Sequence, residues 1–194
     1  MLDDKEWEDA ILNRTMKSYF EEYDQSMIQK DNFNHFIHHR LQRIIEDESS
    51  LEVKISEKET FHIQFENVFV DRPYVIDENR EVRYITPMEA RFRDLNYSGC
   101  IFANIKTFSL INNSDGSVSA YNQKTHFKKL ITKIPIMVQS SKCNLYHKTM
   151  EEKVALGECK YDRGGYFIIK GKERVLVSQE RMNYNIVYVF EQKP

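Results

Sequence analysis

Apolar and polar positions repeat with two different periods along this chain, and the change comes near residue 50. Trp7, Ile11, Leu12, Met16, Tyr19 and Phe20 recur at helical spacing with charges between them, which predicts a helix over 5–22. After a break at Glu22-Tyr23-Asp24-Gln25, a second apolar stripe runs through Phe33, Phe36, Ile37, Leu41, Ile44 and Ile45. It predicts a helix over 31–46, capped by Asp31 or Asn32. Glu46-Asp47-Glu48 opposes the helix dipole and should stop or fray it. Two amphipathic helices joined by a short loop suggest an antiparallel pair.

From Leu51 the period falls to two. Phe61, Ile63 and Phe65 alternate with His62, Gln64 and Glu66, as in a half-buried strand, and Val68 and Val70 continue it after a one-residue shift, the mark of a bulge. Thr86-Pro87-Met88-Glu89 predicts a helix start: Thr86 caps, Pro87 takes the first helical position and Glu89 completes a capping box. Asn96-Tyr97-Ser98-Gly99 should end that short helix. Tyr97 to Leu110 reads as a strand, Asn112-Asn113-Ser114-Asp115-Gly116 as a turn, and Val118 onward as the return strand. Leu130 to Val138 is apolar and β-branched, but Pro135 removes a ladder donor, so it is an edge strand or an extended crossing segment. Thr149-Met150-Glu151-Glu152 is a second capping box, closed by Gly157. Gly165 to Lys170, Arg174 to Ser178 and Asn185 to Phe190 read as three further strands, the first turning at Lys170-Gly171-Lys172. The sum is an α+β chain. Residues 1–50 form a helical segment, and residues 51–194 form a mostly antiparallel sheet with short helices.

Composition narrows the class. The 194 residues are 41% hydrophobic and 30% charged with 6 Gly and 4 Pro, which excludes collagen-like and low-complexity chains and argues against wholesale disorder. No apolar run approaches the roughly 20 residues of a membrane-spanning helix, and the acidic start Met1-Leu2-Asp3-Asp4 lacks a signal-peptide layout. Cys100, Cys143 and Cys159 are too few and scattered for a disulfide framework, so a reducing compartment is expected. The formal net charge of −2 hides a dipolar chain: residues 1–60 carry a net −7, residues 61–120 a net −2 and residues 121–194 a net +7. A basic third can meet phosphates, or it can be a solvated face.

Candidate chemistry is sparse. Cys143, His147 and Cys159 lack the tight paired spacing that zinc prefers, and His35 and His39, with His38 between them, have neither the intervening Glu nor a third ligand. Core thiols and a polar helix face are the plainer readings. Ser98, Ser140, Ser141 and Ser178 lack a nucleophile-elbow context, and no glycine-rich phosphate loop is present. The tripeptides at Asn13, Asn96 and Asn112 match a glycosylation pattern that is common by chance. No Asp-x-Asp cluster offers paired magnesium ligands, so self-contained catalysis is not expected. The stretch from Tyr161 to Arg181 differs in kind: Gly164 and Gly165 permit close backbone approach, and Lys170, Lys172, Arg174 and Arg181 alternate with apolar residues. These four can share one edge of a small sheet, with Gln179 as polar support; a plain hairpin with a solvated rim is the alternative.

The same stretch resembles the second-largest subunit of multisubunit DNA-directed RNA polymerases. The matching pieces are Ile134-Pro135-Ile136-Met137-Val138, Glu158-Cys159-Lys160-Tyr161-Asp162, Gly164 to Gly171, Glu173-Arg174-Val175-Leu176-Val177, Gln179-Glu180-Arg181 and Val187-Tyr188-Val189-Phe190. Upstream, Asp31 to Ile37 and Pro87 to Ser98 resemble family segments in the same order, with Met88 where the family usually has Asn. The eukaryotic, archaeal and large-DNA-virus branch fits better than the bacterial one. The resemblance implies the N-terminal protrusion, a wall of the nucleic-acid cleft near upstream DNA and the RNA–DNA hybrid. It implies docking against the rest of the subunit, the largest subunit and small assembly subunits.

The resemblance also implies that this segment binds no cofactor, the catalytic magnesium being held mainly by the largest subunit, and that the segment alone is inactive. It assigns phosphate contact to Lys170, Lys172, Arg174 and Arg181, with Gln179 beside them, and no catalytic or metal-binding residue here. The location implied is the nucleus for a cellular eukaryote, or the host cytoplasm or virion for a large DNA virus. The family's subunit runs far past Pro194, so an excised piece, a split gene or a truncation is expected, with an exposed apolar face and a tendency to self-associate. A truncated stand-alone module that docks on polymerase subunits is the alternative function.

Overall fold

The amphipathic and alternating stretches fold as their periods require, and a computed structural model describes residues 4–48, 50–112 and 117–191. Helix α1 (Asp4–Glu22) precedes α2 (Met27–His35), which runs through a π-helical turn (Phe36–Arg40) into α3 (Leu41–Asp47). The second helix therefore begins before Asp31, at Ser26, which makes no side-chain cap bond; Asp24 instead accepts from the Ser26 amide at 3.4 Å. It stops at Asp47, at the acidic run. Phe33, Ile37 and Leu41 are buried, and the π turn keeps them on one face. In α1, Trp7, Ile11, Leu12, Met16, Tyr19 and Phe20 are all exposed, Trp7 by 61%. The expected burial of that stripe against the second helix does not form.

Strands β1 (Ser50–Lys54), β2 (Glu59–Val70), β5 (Ser98–Asn112) and β6 (Val118–Pro135) make one antiparallel sheet in the order β1-β2-β5-β6. β3 (Tyr74–Ile76) with β4 (Val82–Tyr84), and β7 (Phe167–Ile169) with β8 (Lys172–Arg174), form two small ladders. The architecture is α+β. The register of β2 against β5 shifts between Phe65 and Val68, where the sequence predicts a bulge. β6 is an edge strand that ends at Pro135, as a residue without a ladder donor requires. The turn expected over Asn112 to Gly116, and the Asn112-Asn113-Ser114 tripeptide with it, lie outside the described residues apart from Asn112 itself.

One core joins these parts. Phe33, Ile37 and Leu41 pack with Val70, Ile85, Tyr97, Ile101, Ile136, Val138 and Ile168. After Pro135 the chain leaves the sheet and dives inward, so Ile136, Met137 and Val138 are buried between Tyr97 and β7. The Ile136 amide donates to Tyr97 O at 2.9 Å, and the Val138 amide to Tyr166 O at 2.8 Å. The strands expected over Arg174–Ser178 and Asn185–Phe190 do not form. Only Lys172–Arg174 pairs, and Val175, Leu176, Val177, Val187, Val189 and Phe190 stay exposed. Their β-branched pattern is that of strands, but a strand needs a ladder partner, and among the described residues none lies beside them.

Candidate nucleic-acid interface

Two short helices set the base on which the basic hairpin stands. In α4 (Pro87–Phe92) the Thr86 hydroxyl accepts from the Glu89 amide at 3.2 Å, and Pro87 opens the helix. The Glu89 carboxylate does not close the box; it binds Arg83 at 2.7 and 2.8 Å and Arg93 at 2.7 Å. The Arg83 hydrogen bond holds the Glu89 carboxyl down at about 2. The helix also ends earlier than expected, at Phe92. Asp94 takes a left-handed φ of 50°, the Leu95 amide reaches back to Ala90 O at 2.9 Å, and the result is a Schellman cap.

Helix α5 (Met150–Ala155) carries the full capping box expected at Thr149 and Glu152. It closes in the same way as α4, with Gly157 at φ +86° and the Glu158 amide bonded to Lys153 O at 3.0 Å. This cap delivers Glu158 to the first turn of α4. Its side chain is 3% exposed, and it accepts from the Met88 amide at 2.8 Å and from Arg91 at 2.9 Å.

Arg91 is the hub of this region. Its Nη1 binds Glu158, its Nη2 meets the Tyr166 hydroxyl and lies 3.6 Å from Asp162, and its Nε binds Glu173 at 2.8 Å. Burial works against its charge, but the Glu158 bond and the surrounding acidic groups outweigh this and raise its pKa. Tyr166 donates to Asp162, and burial raises its phenol pKa above the ordinary value. Three carboxylates thus converge on one guanidinium. The donor set suits a metal poorly because a fixed cation already occupies its centre. Among the described residues no group of three or more His, Cys, Asp or Glu is placed to hold a metal ion. Cys143 is buried with its Sγ 3.3 Å from the Tyr97 hydroxyl, whereas Cys159 is exposed. His35 and His39 stand with ring centres 5.2 Å apart on the helix surface, and His38 bonds to the Ser141 hydroxyl at 2.8 Å.

The β7–β8 hairpin is bolted to this base. Lys170 and Gly171 form its two-residue turn with φ of 51° and 71°, a type I′ geometry. The Lys170 amide donates to Asn96 Oδ1 at 2.7 Å, and the Gly171 amide to Leu95 O at 3.1 Å. A Cβ on Gly171 would stand 2.9 Å from Arg91 O, so only glycine fits. Gly164 and Gly165, both at positive φ, pack in the same way; a Cβ on Gly165 would meet that of Ser26 at 2.7 Å. The Tyr97 amide donates to Ile168 O at 3.0 Å.

On β8, Glu173 turns toward Arg91, so Lys172 and Arg174 share the opposite face with their partners Ile169 and Phe167. That face borders an apolar groove of about 550 Å³ lined by Phe33, Phe36, Pro135, Phe167, Ile169 and Leu176. Lys170, Lys172 and Arg174 are therefore brought together, exposed and without an ion-pair partner among the described residues. Gln179 and Arg181 are exposed too, but they lie beyond the last paired residue, and no hydrogen bond ties them to the hairpin. Reading the sequence misses Arg91 and Glu158 as a unit, since their separation along the chain is 67 residues. The local signal was the pair of capping motifs that aims them at each other.

The geometry describes a positioned basic surface on an α+β scaffold, and comparison with known proteins names its kind. Residues 25–187 match the model of the family described as RNA polymerase beta subunit, and the chain belongs to that family, at its N-terminal region. It is 31% identical over 98% of its length to DNA-directed RNA polymerase II subunit 2 of Arabidopsis thaliana, covering 17% of that protein. It is 36% identical over 93% of its length to the probable DNA-directed RNA polymerase II subunit RPB2 homolog of Invertebrate iridescent virus 6, covering 16%. To DNA-directed RNA polymerase subunit Rpo2N of Methanocaldococcus jannaschii it is 33% identical over 88% of its length, covering 33%. The chain thus spans between about a sixth and a third of these relatives. Among the described residues no helix is long and apolar enough to cross a membrane.

Proposed function

We propose that this chain works as the N-terminal part of the second-largest subunit of a DNA-directed RNA polymerase, forming a wall of the nucleic-acid cleft during DNA-templated transcription. The observation that carries the reading is the coincidence of the family match over residues 25–187 with the rigid mounting of the β7–β8 hairpin on Arg91. A cleft wall needs fixed shape and outward positive charge, and Lys170, Lys172 and Arg174 have both. Gln179 and Arg181 extend the basic stretch along the chain that follows. In this reading the chain contributes no bond-making group, binds no cofactor and is inactive alone. The catalytic magnesium belongs to the largest subunit. Its partners are that subunit, small assembly subunits, the remainder of the second-largest subunit, the DNA template and the RNA–DNA hybrid. The setting is nuclear or viral.

The test is affinity capture of the chain from its source under native conditions, with quantitative mass spectrometry. Recovery of the largest polymerase subunit in equal amount supports the proposal. Recovery of the chain free of that subunit contradicts it and favours a stand-alone module.

A further inference from the structure

The longest basic surface is not the hairpin that the family motif highlights. Strands β5 and β6 together hold five lysines, Lys106, Lys124, Lys128, Lys129 and Lys133, and not one Asp or Glu. Every β6 residue from Val118 to Lys133 is exposed. Lys128 is partly neutralised: it lies 3.5 Å from Asp71 and over the Phe102 ring. Lys106, Lys124, Lys129 and Lys133 have no carboxylate partner among the described residues. The Tyr121 hydroxyl donates to Glu59. Register places Lys124, His126 and Lys129 on one face, opposite Thr107, Ile105 and Ala103, and Lys133 on the other, opposite Cys100. Exposed Phe127 and Tyr121 interleave with them, Phe127 by 73%.

From this placement we infer that the outer edge of β6 is a phosphodiester-binding track, reached by Lys124 and Lys129 from one face of the sheet and by Lys133 from the other. An acidic peptide strand is the rival occupant of a lysine-rich edge. Three register shifts between β5 and β6, with left-handed φ at Asn122 and Lys128, break the regular ladder that an added strand needs. A polyanion needs no ladder register, only closely spaced cations and some stacking surface. The inference deepens the cleft-wall reading and rests on it for the identity of the polyanion.

The test is fluorescence anisotropy of the full 194-residue chain with labelled mixed-sequence DNA, duplex in one arm and single-stranded in the other, across a salt series. Replacing Lys124, Lys129 and Lys133 together by Gln should flatten the slope of log K against log salt by about 2–3 for duplex, at about 0.9 per lost phosphate contact. The Lys→Arg triple should keep the wild-type slope, and circular dichroism should show all variants folded. A steeper slope in one arm identifies duplex or single strand as the natural form. Absence of salt-dependent binding by the wild-type chain, or an unchanged slope in the Gln triple, overturns the track. Competition by polyglutamate as effective as that by DNA of equal charge overturns it in favour of an acidic polypeptide. If replacing Lys170, Lys172, Arg174 and Arg181 removes the slope while the β6 triple does not, the track fails and the cleft-wall reading stands.

Discussion

The two hairpins of this molecule both carry net positive charge and handle it in opposite ways. β7–β8 is three residues long on each side and is fastened at its turn, its ladder and its one acidic residue. β5–β6 is the longest pairing in the molecule, and its outer strand touches solvent over nearly its whole length. In the short hairpin, Glu173 is consumed by Arg91, which aims Lys172 and Arg174 the other way. In the long one no internal acid orders the lysines, and the sheet alone spaces them. The charge of the short hairpin is aimed by a partly buried ion-pair network, whereas that of the long one is laid along an edge.

The largest effect should come from cutting the anchor of the short hairpin. Arg91→Ala leaves the buried Glu158 carboxylate with the Met88 amide but without its ion-pair partner and should cost about 3–5 kcal/mol. Thermal denaturation measures the loss. Hydrogen exchange should show β7 amides opening while β5 and β6 amides keep their relative protection; equal loss in both would erase the contrast.

Tyr97→Phe tests the next level. The Tyr97 ring is fully buried, and its hydroxyl accepts from the Asn144 amide at 2.9 Å. Stranding that amide should cost about 1–3 kcal/mol in denaturant titration.

A smaller effect should follow pH. The Glu89 carboxyl sits at about 2 in the folded chain, below its ordinary 4.5. Its stabilising contribution is complete above 4.5 and is lost as pH falls toward about 2. Glu89→Gln should flatten the stability profile in that window and leave neutral pH nearly unaffected by titration. The smallest change should be Lys129→Ala, within about 0.5 kcal/mol of wild type, because this exposed lysine supports no packing.

Much of the scaffold is legible along the chain because its causes are local. The Thr86 cap, the Thr149–Glu152 capping box, the Phe65–Val68 bulge and the edge position of Pro135 each follow from the chemistry of a few neighbours. The hairpin turn at Lys170-Gly171 does too. The failures have a common cause in the opposite direction. Whether Trp7 and Ile11 are covered, or whether Val175 to Ser178 pairs, depends on surfaces elsewhere, and periodicity cannot report them. Arg91 was visible only as part of a family-like segment. Its role comes from Glu158, Asp162, Tyr166 and Glu173, all brought to it by the fold. Phe36 to Arg40 read as ordinary helix, yet the chain adds a π turn that keeps Phe33, Ile37 and Leu41 aligned on the sheet.

The cleft-wall proposal has this chain lend a transcribing assembly shape and directed positive charge. It is tested most directly by placing a photo-crosslinking side chain at Lys172 in the source polymerase while it is engaged on labelled template. Adducts with nucleic acid that weaken as salt is raised are the expected result. Adducts with protein alone, at every salt concentration, would contradict it.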